Sequence, residues 1–543
     1  MKHLIYNLLL GGVVAMSAVA CTGDYENINK NPYEPDDLTP DGYLLNSAMY
    51  NVCNGVMSSD VNQYQLVESL MGCVLGGYFA DGNGNFTQSF AHYNPSNGWN
   101  RVLMESGQNC IIPTLYTNLS TLEGYGEQQG SPVPAALGKI IKVATMSRVT
   151  DAYGPIPYSK IGYDGSILTP YDSQEEIYHK FFEELDEAIA DLSANLDFAF
   201  SPLADQIYAG DLSKWVKYAN SLKLRLAMRI SYVEPALSKQ MAEAAVNPAN
   251  GGVMESVAEN ATYKHYSDGR NPVYGSTIGY GNDSRPSADL ICYMNGYNDP
   301  RRAAYFSKAS WTNTDGSVMT SPDGKPIEYC GVRRGWTTYD RDGWALKMSG
   351  IGVGASDPIV WMTSAEVAFL RAEAVAVFGY DMGGTAESFY NRGIELSFEQ
   401  YGQSSADAQA YANDDTSVPA AFYDPSQANP WNGSLPAVTI KWDESATKEQ
   451  KQERILIQKW IAMWTQGNEA WAEIRRTGYP KLIPVASNLS GGIVSTEKGP
   501  QRLFYPQEEY TNNNANVQQA VASYLHGPDN MATKLWWNAK PGL

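Results

Sequence analysis

The chain has little of what catalysis usually draws on. Of its five histidines, four fall beyond the first few residues, at 92, 179, 265 and 526, too scattered in sequence to propose a metal-ligand set. There is no HExxH pair for zinc, no GxSxG nucleophile elbow, no phosphate-cradling loop and no GxGxxG after a plausible strand. A pair of glycosidase carboxylates can always be drawn from 59 acidic residues, so that signal has no specificity. Cysteine is scarce as well: six residues, at 21, 53, 73, 110, 292 and 330, with none in CxxC spacing. If Cys21 is modified, an odd number remains, which is not a disulfide framework. One bridge stays compatible with an exported protein, and nothing in the sequence pairs the thiols. Lys and Arg number 39, for a net charge of −20 with no basic stretch, which argues against nucleic acid and anionic lipid surfaces as partners. After residue 20 no apolar run approaches the roughly 20 residues of a spanning helix.

What is present begins at the N-terminus. Met1-Lys2-His3 forms a short basic region, and Leu4 to Val19 is an apolar stretch ending in small residues, the pattern of a signal peptide over 1–20. Ala18-Val19-Ala20-Cys21 has the form of a bacterial lipobox, so Cys21 is the expected lipidation site. Acyl chains contribute about 0.8 kcal/mol per buried methylene, enough in combination to hold a soluble domain at a membrane. Residues 21–40, rich in Asn, Pro and Asp, read as a solvated tether, and 41–543 as one domain.

Within that domain, Ser173-Gln174-Glu175-Glu176 is a capping box that opens a helix over about 172–194, with Ile177, Phe181, Leu185, Ile189 and Leu192 on one stripe. Asp211 caps a second helix carrying Trp215, Tyr218, Leu222, Leu226 and Ile230. Thr363-Ser364-Ala365-Glu366 is read as another capping box, with Gly379 as the stop, and Thr385 opens a partner helix to about Tyr401. Thr447-Lys448-Glu449-Gln450 starts a further helix, and Asn468 is expected to cap the next through Arg476. The intervening stretches 78–100, 261–357 and 403–446 are rich in Gly, Asn, Asp, Ser, Pro and Tyr and read as long ordered loops with short strands. With 36 Tyr and 13 Trp, these loops have rings to offer a ligand.

Several blocks, in order, resemble the SusD/RagB family. They are Asp151-Ala152-Tyr153-Gly154-Pro155-Ile156-Pro157-Tyr158, the helix with Lys214-Trp215 and Ala219 to Leu226, Arg285-Pro286-Ser287 and Asp299-Pro300-Arg301. Ala365 to Ala374, Gln458-Lys459-Trp460, Glu469-Ala470-Trp471, Arg475 to Pro480, Tyr505 to Glu509 and Trp536-Trp537 follow. Read as residues alone, these blocks are scaffold: Gly154 and Pro155 shape a turn, Trp460 and Trp471 are core, and Arg475-Arg476 complement a helix dipole.

The resemblance implies a mostly α SusD-like fold with tetratricopeptide-like hairpins and long irregular loops. It implies a lipoprotein of the outer membrane, facing outward, that captures a nutrient for a SusC-like TonB-dependent transporter without catalysis. An oligosaccharide is the expected ligand and a peptide or glycopeptide the alternative; a surface hydrolase or a purely structural lipoprotein would be the different-class readings. No cofactor is expected. Calcium among the Asp-rich loops cannot be assigned, since no DxDxDG pattern is present, and a metal set is unknown. Family motifs do not transfer ligand residues, so candidates come from ring-rich loop composition. In the first loop these are Tyr78, Tyr93, Asn97 and Trp99, the last equally placed for core or ligand. In the second they are Tyr280, Asn282, Asp283, Trp311, Arg334, Trp336, Tyr339 and Trp344.

Overall fold

The computed structural model describes residues 40–83, 86, 88–104, 111–162 and 168–543. The signal segment, Cys21, the tether to residue 39 and Cys110 lie outside the described residues. The rest is built on antiparallel helical hairpins, with two small two-stranded sheets.

Helix starts follow the local chemistry. Ser173 accepts from the Glu176 amide while the Glu176 carboxylate accepts from the Ser173 amide at 2.9 Å, so the Gln174–Ser193 helix opens on a true capping box. Its apolar stripe, Ile177 to Leu192, is buried against the Val133–Tyr153 helix on one side and the Leu212–Arg229 helix on the other. Asp211 caps the latter through the amides of Ser213 and Lys214. Thr447 and Gln450 form another reciprocal box, before Lys448–Ala462. Gly379, at φ +71°, ends the Ser364–Phe378 segment as its sequence implies.

Two starts differ from expectation. Thr363 does accept from the Glu366 amide, but the Glu366 carboxylate does not return the bond; it accepts from Arg225 at 2.6 and 2.7 Å. A charged donor across the helix interface outcompetes a backbone amide. Asn468 is not a cap either. The helix runs Gly467–Thr477, and the Asn468 amide donates to the Val67 carbonyl at 3.1 Å and to Glu68 at 2.9 Å. Glycine is required beside it: a Cβ on Gly467 would lie 2.1 Å from the Cys73 nitrogen, so only a bare backbone lets this helix touch the Gln65–Leu75 run.

Arg475 and Arg476 are interior groups rather than dipole partners at a surface. The Arg475 guanidinium stacks on Trp471 at 3.6 Å and donates to the carbonyls of Asp151 and Gln501. Arg476 meets Glu373 and Glu473, each at 2.7 Å. Asp151, the first residue of the family-like turn, accepts from Tyr178 at 2.6 Å and Trp537 at 2.8 Å and lies 3.3 Å from Arg229. The blocks that looked like scaffold are a buried polar lattice joining the helices. Cys53, Cys73, Cys292 and Cys330 are separate buried thiols.

One pairing positions the loops. Strand β1 (Phe79–Asp81) runs antiparallel to β3 (Ser284–Pro286), with Ala80 opposite Arg285 and Asp81 opposite Ser284. The other sheet joins β2 (Ala261–Tyr263) to β4 (Ile359–Met362). Through β1 and β3 the two ring-rich loops, far apart in sequence, meet at one end of a short ribbon.

Candidate functional site

Where β1 ends, Gly82 donates its amide to the Asp283 carbonyl at 2.5 Å. A Cβ there would fall 2.5 Å from the Asn282 carbonyl oxygen and 2.8 Å from the Tyr339 hydroxyl, so glycine lets three segments converge. Asp283 is held from both sides, accepting from Asn83 at 3.0 Å and Gln65 at 3.2 Å. Burial pushes its carboxyl above the usual aspartate range, and those two bonds offset this in part. Asn282 sits at φ +65°, a conformation Asn tolerates better than most residues. Beside it Tyr280 is 36% exposed, its hydroxyl donating to Asn62 at 2.8 Å.

From this corner a line of rings runs outward. His92 meets Trp336 edge-on at 5.2 Å, Trp336 lies 5.2 Å from Tyr339, and Tyr339 lies 5.3 Å from Trp344. Burial falls along the line: His92 and Trp336 are buried, Tyr339 and Trp344 half-buried. Trp336 is locked by its indole N–H donating to the Asp81 carbonyl at 3.0 Å. Tyr339 and Trp344 pack on a small satellite core of Ala80, Trp311, Ile327, Cys330, Val332 and Met348. The outer rings thus stand on a rigid base, as a stacking platform needs.

The expected residues divide accordingly. Tyr280, Asn282, Asp283, Tyr339 and Trp344 are brought together at the convergence, with Trp336 beneath them. Trp311 lies in the satellite core under the Lys347 ammonium. Tyr78 is an interior residue, stacked on Trp460 at 5.5 Å and donating to its carbonyl at 2.6 Å. Arg334 is interior too, paired with Asp289 at 2.8 Å and donating to the Ile483 carbonyl. Tyr93 is 5% exposed, at φ +58°. Asn97 bridges to the chain end, donating to Glu508 at 3.0 Å and accepting from the Gln507 amide. Trp99 packs between Phe86 and Phe90 and is half-buried. Tyr78, Tyr93, Trp311 and Arg334 are buried, while Asn97 and Trp99 are half-buried.

Sequence reasoning missed Gln65, Asn83, Arg285 and Arg341, whose guanidinium lies near Gly281. Asn83 stood inside a marked loop, and Arg285 stood in a block read as scaffold. Gln65 belongs to a helical run with no local sign of its role.

Among the described residues one serine–histidine contact is buried. The Ser89 hydroxyl and His92 Nδ1 are 3.0 Å apart, but His92 Nε2 is engaged with the Trp336 carbonyl at 3.0 Å and the ring is 3% exposed. Glu175, His179 and Glu234 place three ligand-type atoms within 4.8 Å of one another. His179 Nε2 lies 2.9 Å from the Glu234 carboxylate, and the group sits at the helix Gln174–Ser193 and the N-cap of Pro235–Val246, away from the convergence of the loops. Two cavities, of about 1150 Å³ beside Tyr116 and Glu509 and about 760 Å³ beside Tyr329 and Phe422, contain none of the convergence residues.

Comparison with known proteins covers nearly the whole chain. The family model described as Susd and RagB outer membrane lipoprotein matches residues 27–538. A SusD homolog from Bacteroides uniformis is 51% identical with a TM-score of 0.86, over 92% of this chain and 100% of that one. One from Bacteroides ovatus is 38% identical with a TM-score of 0.82, over 92% and 100%. A chitin-binding SusD homolog from Flavobacterium johnsoniae is 36% identical with a TM-score of 0.80, over 91% and 99%. No curated protein matches.

Proposed function

The chain belongs to the SusD-like family of outer-membrane lipoproteins, and on that premise we propose that it is a non-catalytic receptor that binds an oligosaccharide at the convergence of its two ring-rich loops. Anchored through lipidated Cys21 and facing the cell exterior, it delivers that ligand to a partner SusC-like TonB-dependent transporter. The observation that carries the reading is the stepped line of rings ending in half-buried Tyr339 and Trp344, with exposed Tyr280 and the polar Asn282 and Asp283 at its side. Apolar ring faces against pyranose faces, with a few fixed polar groups for hydroxyls, are what sugar recognition asks of a surface. The chitin-binding relative supports a saccharide over a peptide.

Trp344→Ala is expected to weaken binding of the cognate oligosaccharide about 10- to 100-fold, the loss of roughly 1–3 kcal/mol carried by one buried aromatic face. Tyr280→Ala should weaken it less, because that ring is more exposed. Neither should shift the melting temperature by more than a few degrees. Isothermal titration of both variants decides the matter: unchanged affinity in both would place the ligand elsewhere.

A further inference from the structure

We infer that Glu175, His179 and Glu234 form a binding site for a first-row divalent metal ion of the zinc type, which clips the Gln174–Ser193 helix to the start of the Pro235–Val246 helix. One ligand-type atom from each residue lies within 4.8 Å of the other two. Glu175 and His179 belong to the same helix, and their spacing sets them one turn apart on a common face. Glu234 comes from the N-cap of the other helix, where its side chain makes no bond to the amides it could cap. It is turned to His179 Nε2 instead, at 2.9 Å. Both helices pack on Leu212–Arg229, so the trio joins two elements that are held to a common third.

The charge around the trio asks for a cation. Farther along the same helix Glu183, Glu184, Asp186 and Glu187 each meet a lysine: Lys180, Lys142, Lys223 and Lys139 respectively. Glu175 and Glu234 do not. Among the described residues neither is ion-paired with a lysine or arginine, and what they converge on is one imidazole. Carboxylates this close repel each other. A neutral imidazole leaves both charges standing and an imidazolium cancels one, whereas a divalent ion cancels both. Glu176 does not compete for it, being spent on the capping box with Ser173. The donor set also selects the ion: one imidazole nitrogen with two carboxylate oxygens suits zinc and its first-row neighbours, while calcium and magnesium take oxygen ligands. Zinc bonds of about 2.0–2.2 Å at tetrahedral angles set ligand atoms about 3.3–3.5 Å apart. His179 and Glu234 already stand near that separation. Glu175 is exposed, so rotation of its side chain closes the remaining gap, and water takes the fourth position.

The test is isothermal titration of the full protein with zinc chloride, after purification without a polyhistidine tag and stripping with EDTA, alongside melting curves. Binding of a single zinc ion per chain is expected, with a Kd on the order of micromolar and a melting temperature that rises when zinc is in excess. Calcium chloride at about a hundredfold higher concentration should not displace the zinc. His179→Gln should weaken zinc binding about 10- to 100-fold and remove the thermal gain, and Glu234→Gln should act likewise. Glu175→Gln, expected to cost about tenfold, changes an exposed side chain and so keeps the test open if either other variant folds poorly. Glu183→Gln, on the same helix but paired with a lysine, should bind zinc as the wild type does. Absence of zinc binding, affinity unchanged in either His179→Gln or Glu175→Gln, or displacement of zinc by calcium would overturn the inference. None of these outcomes bears on the receptor reading, whose residues lie on the loops.

Discussion

Replacing Glu473 by alanine is expected to lower the unfolding free energy by about 3–5 kcal/mol, the range for breaking a buried ion pair from one side. One carboxylate serves three cations here: Arg229, Lys459 at 2.9 Å and Arg476 at 2.7 Å. Its removal leaves these groups buried in a space walled by the Leu212–Arg229, Lys448–Ala462 and Gly467–Thr477 helices, with Glu373, Glu469 and Asp151 as the remaining counter-charges. Denaturant unfolding followed by circular dichroism measures the loss, and Glu473→Gln should recover part of it by keeping shape and hydrogen bonds. The same group sets an acid limit. Its three cations hold the Glu473 carboxyl well below its ordinary value of 4.5, and Arg229 and Arg225 hold Glu469 down as well. A depressed carboxyl contributes stability that is complete above the unfolded pKa and lost as pH falls through the folded one. Stability is therefore expected to be insensitive to these groups at neutral pH and to fall below pH 4.5, less steeply in Glu473→Gln.

Trp336→Ala is expected to cost a similar amount, about 3–5 kcal/mol for deleting a buried tryptophan, and to weaken ligand binding as a consequence rather than by loss of contact. The indole is 9% exposed, tied to the Asp81 carbonyl and wedged between His92 and Tyr339. Without it the base under Tyr339 and Trp344 collapses. Two measurements on one variant separate the causes: a melting temperature well below that of Trp344→Ala, together with weakened binding, marks Trp336 as support. Weakened binding at an unchanged melting temperature would make it a contact residue.

The contrast between those two tryptophans shows where sequence reasoning reaches and where it stops. Both stand in one loop among glycines, and composition could say that the loop offers rings. It could not say that Trp336 would turn inward, because the group that holds it is a carbonyl at residue 81. Helix starts were legible, since Ser173 with Glu176 and Thr447 with Gln450 act within one turn. Where a side chain had a distant charged partner the local reading failed: Glu366 left its capping position for Arg225, and Asn468 left its own for Glu68. The family-like blocks identified the fold correctly, yet the ion lattice they encode joins residues as distant as Arg229 and Glu473. The pairing of β1 with β3, two three-residue strands, left no periodic signal. Without it the two loops read as separate candidate surfaces, and Arg285 as a scaffold residue.

The measurement that bears most directly on the central claim is titration of the protein with a broad panel of soluble glycans and peptide mixtures, with the same samples assayed for products. Saturable binding of one glycan class, with that glycan recovered intact, is the predicted result. Release of smaller products would make the protein an enzyme, and saturable binding of peptides alone would move its ligand to another chemistry; either would contradict the account.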